Sequence, residues 1–212
     1  TVIGDLLGRI DHPEPFYATK VWTRGRDAGI RQMERSMERM GTDVIDLMQV
    51  HNLVDWKTHL ETLAQWKAEG RIRYLGITHY VTSAFDELER IMRQRDLDWV
   101  QLPYNIATRE AADRLLPLAA DRGIAVLVNE PFEAGSLFRR VGDRPLPGWA
   151  SEVGARTWAQ FFLKFILARP EVTCVIPATS DPEHLVDNMG AGRGPLPGPK
   201  QERRMARFWD SL

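Results

Sequence analysis

The sequence predicts an α/β protein in which parallel strands are wrapped by helices and arranged as a β/α barrel. Two observations carry this. Short apolar runs alternate with longer amphipathic segments through six strand–helix units, the pattern of a parallel sheet with crossover helices. A polar residue also stands at or just past the C-terminal end of every run: Lys20, His51, Thr78 with His79, Gln101, Asn129, and Thr179 with Ser180. An open sheet uses only the crevice at its switch point, whereas a barrel brings all strand ends to one mouth. Polar residues at all the strand ends favour the barrel.

Val2, Ile3, Leu6 and Leu7 have helical spacing, so the chain opens as if already inside a helix. "FYATKVW" (16–22), aromatic and β-branched, is the first strand. Ile30, Met33, Met37 and Met40 share one face of the next helix, which stops at Gly41. "VIDLMQVH" (44–51) is the second strand, followed by a helix with the stripe Leu60, Leu63 and Ala64 and a stop at Gly70. "IRYLGITHY" (72–80) is the third. Ser83 with Asp86 reads as a capping box opening a helix that buries Phe85, Leu88, Ile91 and Met92. "WVQLPYN" (99–105) is the fourth strand, and Pro117 should kink the helix after it. "IAVLVNEPF" (124–132) is the fifth, ahead of a Gly/Pro-rich loop at 133–150. The helix "RTWAQFFLKFILARP", the sixth strand "VTCVIPATS" (172–180), the short helix "PEHLVDNM" and a last helix near 200–210 complete the chain. The outer strands, 16–22 and 172–180, look fully buried. No boundary splits the sequence, so residues 1–212 read as a single domain.

The 212 residues carry a formal net charge of −1, with 43% hydrophobic and 27% charged residues. That balance offers no electrostatic case for nucleic acid or an anionic membrane. Arginines alternate with acids along helices ("RQMERSMER", "DELERIMRQRD"), most simply as solvated faces with local ion pairs. Cys174 is the single cysteine, which leaves no internal disulfide and no Cys/His metal cluster and fits a reducing cytoplasm. No apolar run approaches the ~20 residues of a membrane helix. No G-x-G-x-x-G or G-x-x-x-x-G-K-[ST] loop follows any strand, so a nucleotide would have to be held by late barrel loops.

Each polar residue alone has a bland reading. A lysine at a strand end is usually a solvated charge, a buried glutamine usually a satisfied one. His12 and His59, in a loop and on a helix, carry no expectation. In combination, "ATK", "QVHN", "RYLGITHY" and "IPATSDPEHLVDN" resemble the aldo-keto reductases, NAD(P)H-dependent enzymes on a (β/α)8 TIM barrel, from about Ile3 to Asn188. The resemblance implies that Lys20 and His51 are catalytic. It assigns Thr78, His79 and Gln101 to the nicotinamide carboxamide. The loop around Glu133, Ala134, Gly135 and Ser136 would cover the pyrophosphate, and Thr179, Ser180, His184, Asp187 and Asn188 would grip the adenosine end. Asn129 stands where many members stack an aromatic ring on the nicotinamide. Ala178 and His184 stand where some members use lysine and arginine for the 2′-phosphate, so NADP(H) is the first expectation and NAD(H) the second.

In the family a tyrosine protonates the nascent alkoxide, and an aspartate holds the lysine beside it. Tyr17, Tyr74, Tyr80 and Tyr104 are the only tyrosines, and none falls in the family's catalytic motif. The expectation is an N-terminally truncated barrel lacking its first two strands and first helix. At about 30 residues per barrel unit, roughly 60–80 residues would be missing, and this chain alone would be inactive. The expected activity of the complete protein is reduction of a small aldehyde or ketone. The alternatives are a Schiff-base lyase using Lys20 and a non-catalytic nicotinamide-binding regulatory subunit. The sequence specifies neither the substrate nor an oligomeric state.

Overall fold

Strands and helices alternate along the chain in the computed structural model, which describes residues 2–212. They fall into two units: the described residues through His79 with Arg90–Val100, and Tyr80–Glu89 with Gln101–Leu212. The expectation that Thr1 lies in a helix falls outside the described residues.

The first unit opens with α1 (Val2–Leu7), which buries none of its residues, leaving Val2, Ile3 and Leu6 exposed. β1 (Ala18–Val21) pairs in parallel with β2 (Ile45–Val50), and β2 with β3 (Ile72–Thr78). The registers set Lys20 opposite Gln49 and Gln49 opposite Gly76. β2 is buried at every position, so its near-continuous apolar run reflects coverage on both faces. Its one charge, Asp46, is matched by Arg73 at 2.9 Å and by the Tyr17 N–H at 2.7 Å. β3 passes so close to Trp99 that a Cβ on Gly76 would sit 2.5 Å from the Trp99 carbonyl oxygen.

The helices of this unit after α1 bury most of what their spacing predicts, with Ile30 and Met40 only half-buried and one shift. α2 (Arg26–Met40) buries Met33 and Met37 and ends at Gly41, whose left-handed φ of 69° lets its N–H reach the Met37 and Glu38 carbonyls. α3 (Trp56–Ala68) buries Trp56, His59, Leu60, Leu63 and Trp66, while Ala64 is exposed. Trp66 brings far more apolar surface than Ala64, and the helix turns it inward. Glu34 on α2 pairs with Arg71, just ahead of β3, at 3.1 Å; in the second unit Arg114 pairs with Asp86 at 2.5 Å and Glu89 at 3.1 Å.

α4 (Phe85–Gln94) and β4 (Trp99–Pro103) straddle the division, and a single 3-10 turn at Thr82–Ala84 leads into α4 where the sequence suggested a capping box. In the second unit β5 (Ala125–Asn129) pairs in parallel with β6 (Val172–Val175), with a register shift between Val126 and Leu127. α5 (Ala111–Arg122) continues through Pro117 and closes on left-handed Gly123. The 133–150 segment is more ordered than a loop, since it contains α6 (Ser136–Val141). α7 (Trp158–Leu167) is started by Thr157, whose hydroxyl accepts from the Gln160 N–H, and buries Phe161, Phe162, Phe165 and Ile166. Lys164 is fully buried on the same helix, donating to the Arg193 and Pro195 carbonyls at 2.8 Å each. α8 (Pro182–Gly190) and α9 (Pro199–Asp210) follow.

The expectation that the outer strands are fully buried is corrected. Ala18 in β1, and Thr173 and Cys174 in β6, are exposed. Each strand has a neighbour on one side only within its own unit, so water reaches the other.

Candidate functional site

In the first unit, three predicted residues come together at the C-terminal ends of β1, β2 and β3. Lys20 is half-buried, and desolvation pushes its ammonium below the usual lysine range. His51 follows β2 directly and opens a 3-10 turn, His51–Leu53. Burial lowers its pKa first, and the positive charge of Lys20 and then His79 lower it further. Burial likewise lowers His79. All three are biased toward their neutral forms. The Trp22 ring stands edge-on to His51 at 5.3 Å between centroids, walling one side of the imidazole. Thr78 acts locally, its hydroxyl accepting from the Asn52 N–H at 3.3 Å.

The chain beyond His51 is contorted. Asn52, Leu53 and Asp55 all have left-handed φ, of 51°, 56° and 48°. Such backbone persists where surrounding contacts over-determine it and clusters at functional sites. Asp55 supplies one such contact, its carboxylate accepting from the Gly25 N–H at 2.7 Å and the Thr58 hydroxyl at 2.9 Å. His59, to which the sequence attached no role, supplies another. It is fully buried, lies 2.8 Å from the Thr23 carbonyl through Nε2, and packs where a side chain on Gly29 would stand. Together they tie down the segment that carries Lys20 and Trp22. Periodicity places His59 on the buried face of α3, which was the available signal.

In the second unit, the predicted residues form a second group. Gln101 is 5% exposed, and its Oε1 has no hydrogen-bond partner. Asn129 ends β5 and is half-buried. Beyond it the chain turns through left-handed Glu130, Glu133 and Ala134 into Gly135 and Ser136, and the Ser136 hydroxyl donates to Glu133 at 3.1 Å. Thr179, His184, Asp187 and Asn188 line one cavity of about 320 Å³, while Ser180 is exposed and outside its lining. The Asp187 oxygens already accept from the Thr157 hydroxyl and Gln160 Nε2, at 2.7 Å each, so this carboxylate braces α8 against α7. His184 is mostly exposed, 3.8 Å from Asp181.

The cavity walls were not anticipated. Phe132, Phe138 and Trp158 line it, so aromatic rings and polar side chains share one chamber. In sequence these rings are indistinguishable from the neighbouring core residues Phe161 and Phe162. Tyr104, one of the four tyrosines, is buried elsewhere in this unit. Its phenol is raised to about 12 by burial, accepts from Arg169 Nε at 3.2 Å and donates to Glu202 at 3.4 Å. Among the described residues no cluster of His, Cys, Asp and Glu is arranged to hold a metal, and no helix is long and apolar enough to cross a membrane.

The family model described as "Aldo/keto reductase family" matches residues 2–203. Among curated proteins, the NADH-specific methylglyoxal reductase of Escherichia coli is 32% identical over 175 residues, covering 70% of this chain and 53% of that protein. Pyridoxine 4-dehydrogenase of the same organism is 27% identical over 165 residues, 74% of this chain and 55% of that protein. The chain thus spans about half the length of the curated relatives it matches. An aldo/keto reductase from Klebsiella pneumoniae, solved with NADP and acetate, superimposes with a TM-score of 0.75 at 23% identity, over 98% of this chain and 74% of that one. The holo form of an aldo-keto reductase from Bacillus halodurans gives 0.73 at 24% identity, over 98% and 75%. These likenesses establish a shared fold, that of the β/α barrels.

Proposed function

Because the chain belongs to the aldo/keto reductase family, we propose that the whole protein is an NAD(P)H-dependent oxidoreductase that reduces aldehydes or ketones to alcohols. The observation that carries this reading is the group Lys20, His51 and His79, in which burial and the Lys20 charge favour a neutral His51. Hydride arrival at a carbonyl carbon leaves negative charge on oxygen. A neutral His51 has one N–H to offer that oxygen, which orients the carbonyl and favours the charge as it forms. Lys20 contributes the cationic partner that makes a neighbouring proton donor easier to ionise. The donor itself is a tyrosine in this reading. Tyr104 is not that tyrosine, since it is engaged by Arg169 and Glu202 and titrates near 12.

The residues present suit a nicotinamide dinucleotide. The orphaned Gln101 Oε1 suits the N–H of a carboxamide; the resemblance gives the same role to Thr78 and His79, and sets Asn129 where other members stack an aromatic ring. The aromatic chamber suits a flat adenine, with Thr179, His184 and Asn188 offering polar contacts at its rim. Gly135 and Ser136 would cover the diphosphate, Ser180 would sit at the ribose end, and Asp187 would act through the α7–α8 brace. When bound, the nicotinamide supplies the hydride. The name of one relative records NADP and that of another NADH. We take NADP(H) first and NAD(H) second, with a small carbonyl compound as the other ligand, one barrel domain as the frame and the cytoplasm as the setting.

The test is to titrate NADPH and NADH against tryptophan fluorescence of the whole protein, then to assay aldehyde reduction. Saturable quenching and turnover are expected. Quenching without turnover on any aldehyde would instead support a nicotinamide-binding subunit. The lowered pKa of Lys20 also suits an amine nucleophile. Borohydride trapping of Lys20 with a carbonyl substrate in the absence of cofactor would therefore replace the reductase reading with a lyase.

A further inference from the structure

The loop after β5 holds three left-handed residues that are not glycine: Glu130 (φ 51°), Glu133 (φ 47°) and Ala134 (φ 50°). Each is unfavourable for a side chain bearing a Cβ, and together they persist only if neighbours enforce them. The enforcing group is Asn105, fully buried just beyond β4. Its amide reaches into two segments at once. Oδ1 accepts from the Ala107 and Thr108 N–H groups at 2.8 Å each. Nδ2 donates to the Glu130 carbonyl at 2.9 Å and to Glu133 Oε1 at 3.3 Å. That uses the full capacity of a primary amide, two donors and two acceptor sites. The Thr108 hydroxyl also donates to Glu133 Oε1, and Ser136 donates to Oε2 at 3.1 Å. Glu133 thus receives three donors from two segments. A carboxylate in a turn would otherwise face water.

We propose that Asn105 and Glu133 are positioning residues for cofactor: they clamp the 130–136 loop in the one strained conformation that presents Gly135 and Ser136 to the dinucleotide. Phe132, inside the clamped stretch, is a wall of the aromatic cavity, so the same clamp sets that wall as well. Neither Asn105 nor Glu133 needs to touch the cofactor. The inference rests on the reading that this loop covers the diphosphate.

The experiment uses the whole protein and compares wild type with Asn105→Asp, Glu133→Ala and Glu133→Gln. Asn105→Asp keeps the acceptor arm to residues 107 and 108 and removes the donor arm to the loop. NADPH Kd and cofactor KM should rise about tenfold or more for Asn105→Asp and Glu133→Ala, a loss of ~1.4 kcal/mol. Glu133→Gln, which retains one acceptor oxygen, should recover part of that. For Asn105→Asp, turnover at saturating cofactor should not fall, because that amide touches no reacting atom. Asn105→Asp added to Glu133→Ala should weaken binding little further, as expected for members of one network. The clamp is overturned if the variants lose melting temperature but bind NADPH as tightly as wild type. It is equally overturned if turnover falls while KM holds. A wild-type protein that binds neither NADPH nor NADH would instead defeat the functional reading on which the clamp depends.

Discussion

Burial, then Lys20 and His79, lower the pKa of His51, and that has a direction in pH. Between its lowered pKa and the ordinary 6.5, the unfolded chain binds a proton that the folded chain refuses. Stability therefore declines as pH falls through that window and is unaffected by His51 above it. Activity that needs the neutral imidazole should persist below 6.5 and drop only further into acid, which a kcat/KM profile of the whole enzyme would trace. Lys20→Met removes one source of the shift, so the His51 resonance followed by NMR should titrate at higher pH, yet still below 6.5, because burial is the larger cause. The same substitution should abolish most carbonyl reduction, and His51→Ala should lose on the order of 10²-fold or more. At the proposed adenosine end, Asp181 stands 3.8 Å from His184 and would repel a 2′-phosphate. Asp181→Asn keeps an N-cap acceptor for the Glu183 N–H while removing the charge. NADPH affinity should rise a few-fold against NADH, measured by paired titrations, on the scale of a screened surface interaction.

Elements were legible where one physical rule governed them. β2 declared itself because strands covered on both faces read as unbroken apolar runs, and α2 because its methionines recur at helical spacing before a glycine stop. α6 was missed because its glycine-rich surroundings carry turn signals that tertiary contacts override. The strand ends pointed to Lys20 and His51 as candidates, but nothing in the sequence distinguishes Asn105 from a loop asparagine or Trp158 from a core ring, since what they touch comes from distant parts of the chain. Pro117 was expected to kink α5; the helix runs on through it, and it still withholds an N–H from the helix interior. Pro117→Ala at this exposed site should raise the melting temperature, with a gain on the order of 1 kcal/mol or more. Gly29→Ala should do the opposite. Its Cβ would stand 2.5 Å from the His59 ring, forcing that ring off the Thr23 carbonyl. A loss of roughly 1–3 kcal/mol in urea unfolding is expected, along with slower turnover as the Lys20 segment loosens.

At the scale of the molecule, the proposed ligand and the fold should support one another. Anything that binds the native state and not the unfolded one raises stability, by about 2.7 kcal/mol at a hundredfold excess over Kd. NADPH should therefore raise the melting temperature of the whole protein, and the rise should shrink in Asn105→Asp in step with its weaker binding. One exposed feature makes such occupancy observable without mutagenesis. Cys174 is the single cysteine, sits on the half-wetted strand β6 and lies a few residues before Thr179 at the aromatic cavity. A maleimide dye would attach at one address and report on the chamber from next door. Although the residue is exposed, partial desolvation of its sulfur raises this thiol above its usual range, so the thiolate is scarce near neutrality. Labelling should be slow at pH 7 and quicken as the solution is made alkaline, which turns the reaction rate into a gauge of how closely β6 is packed.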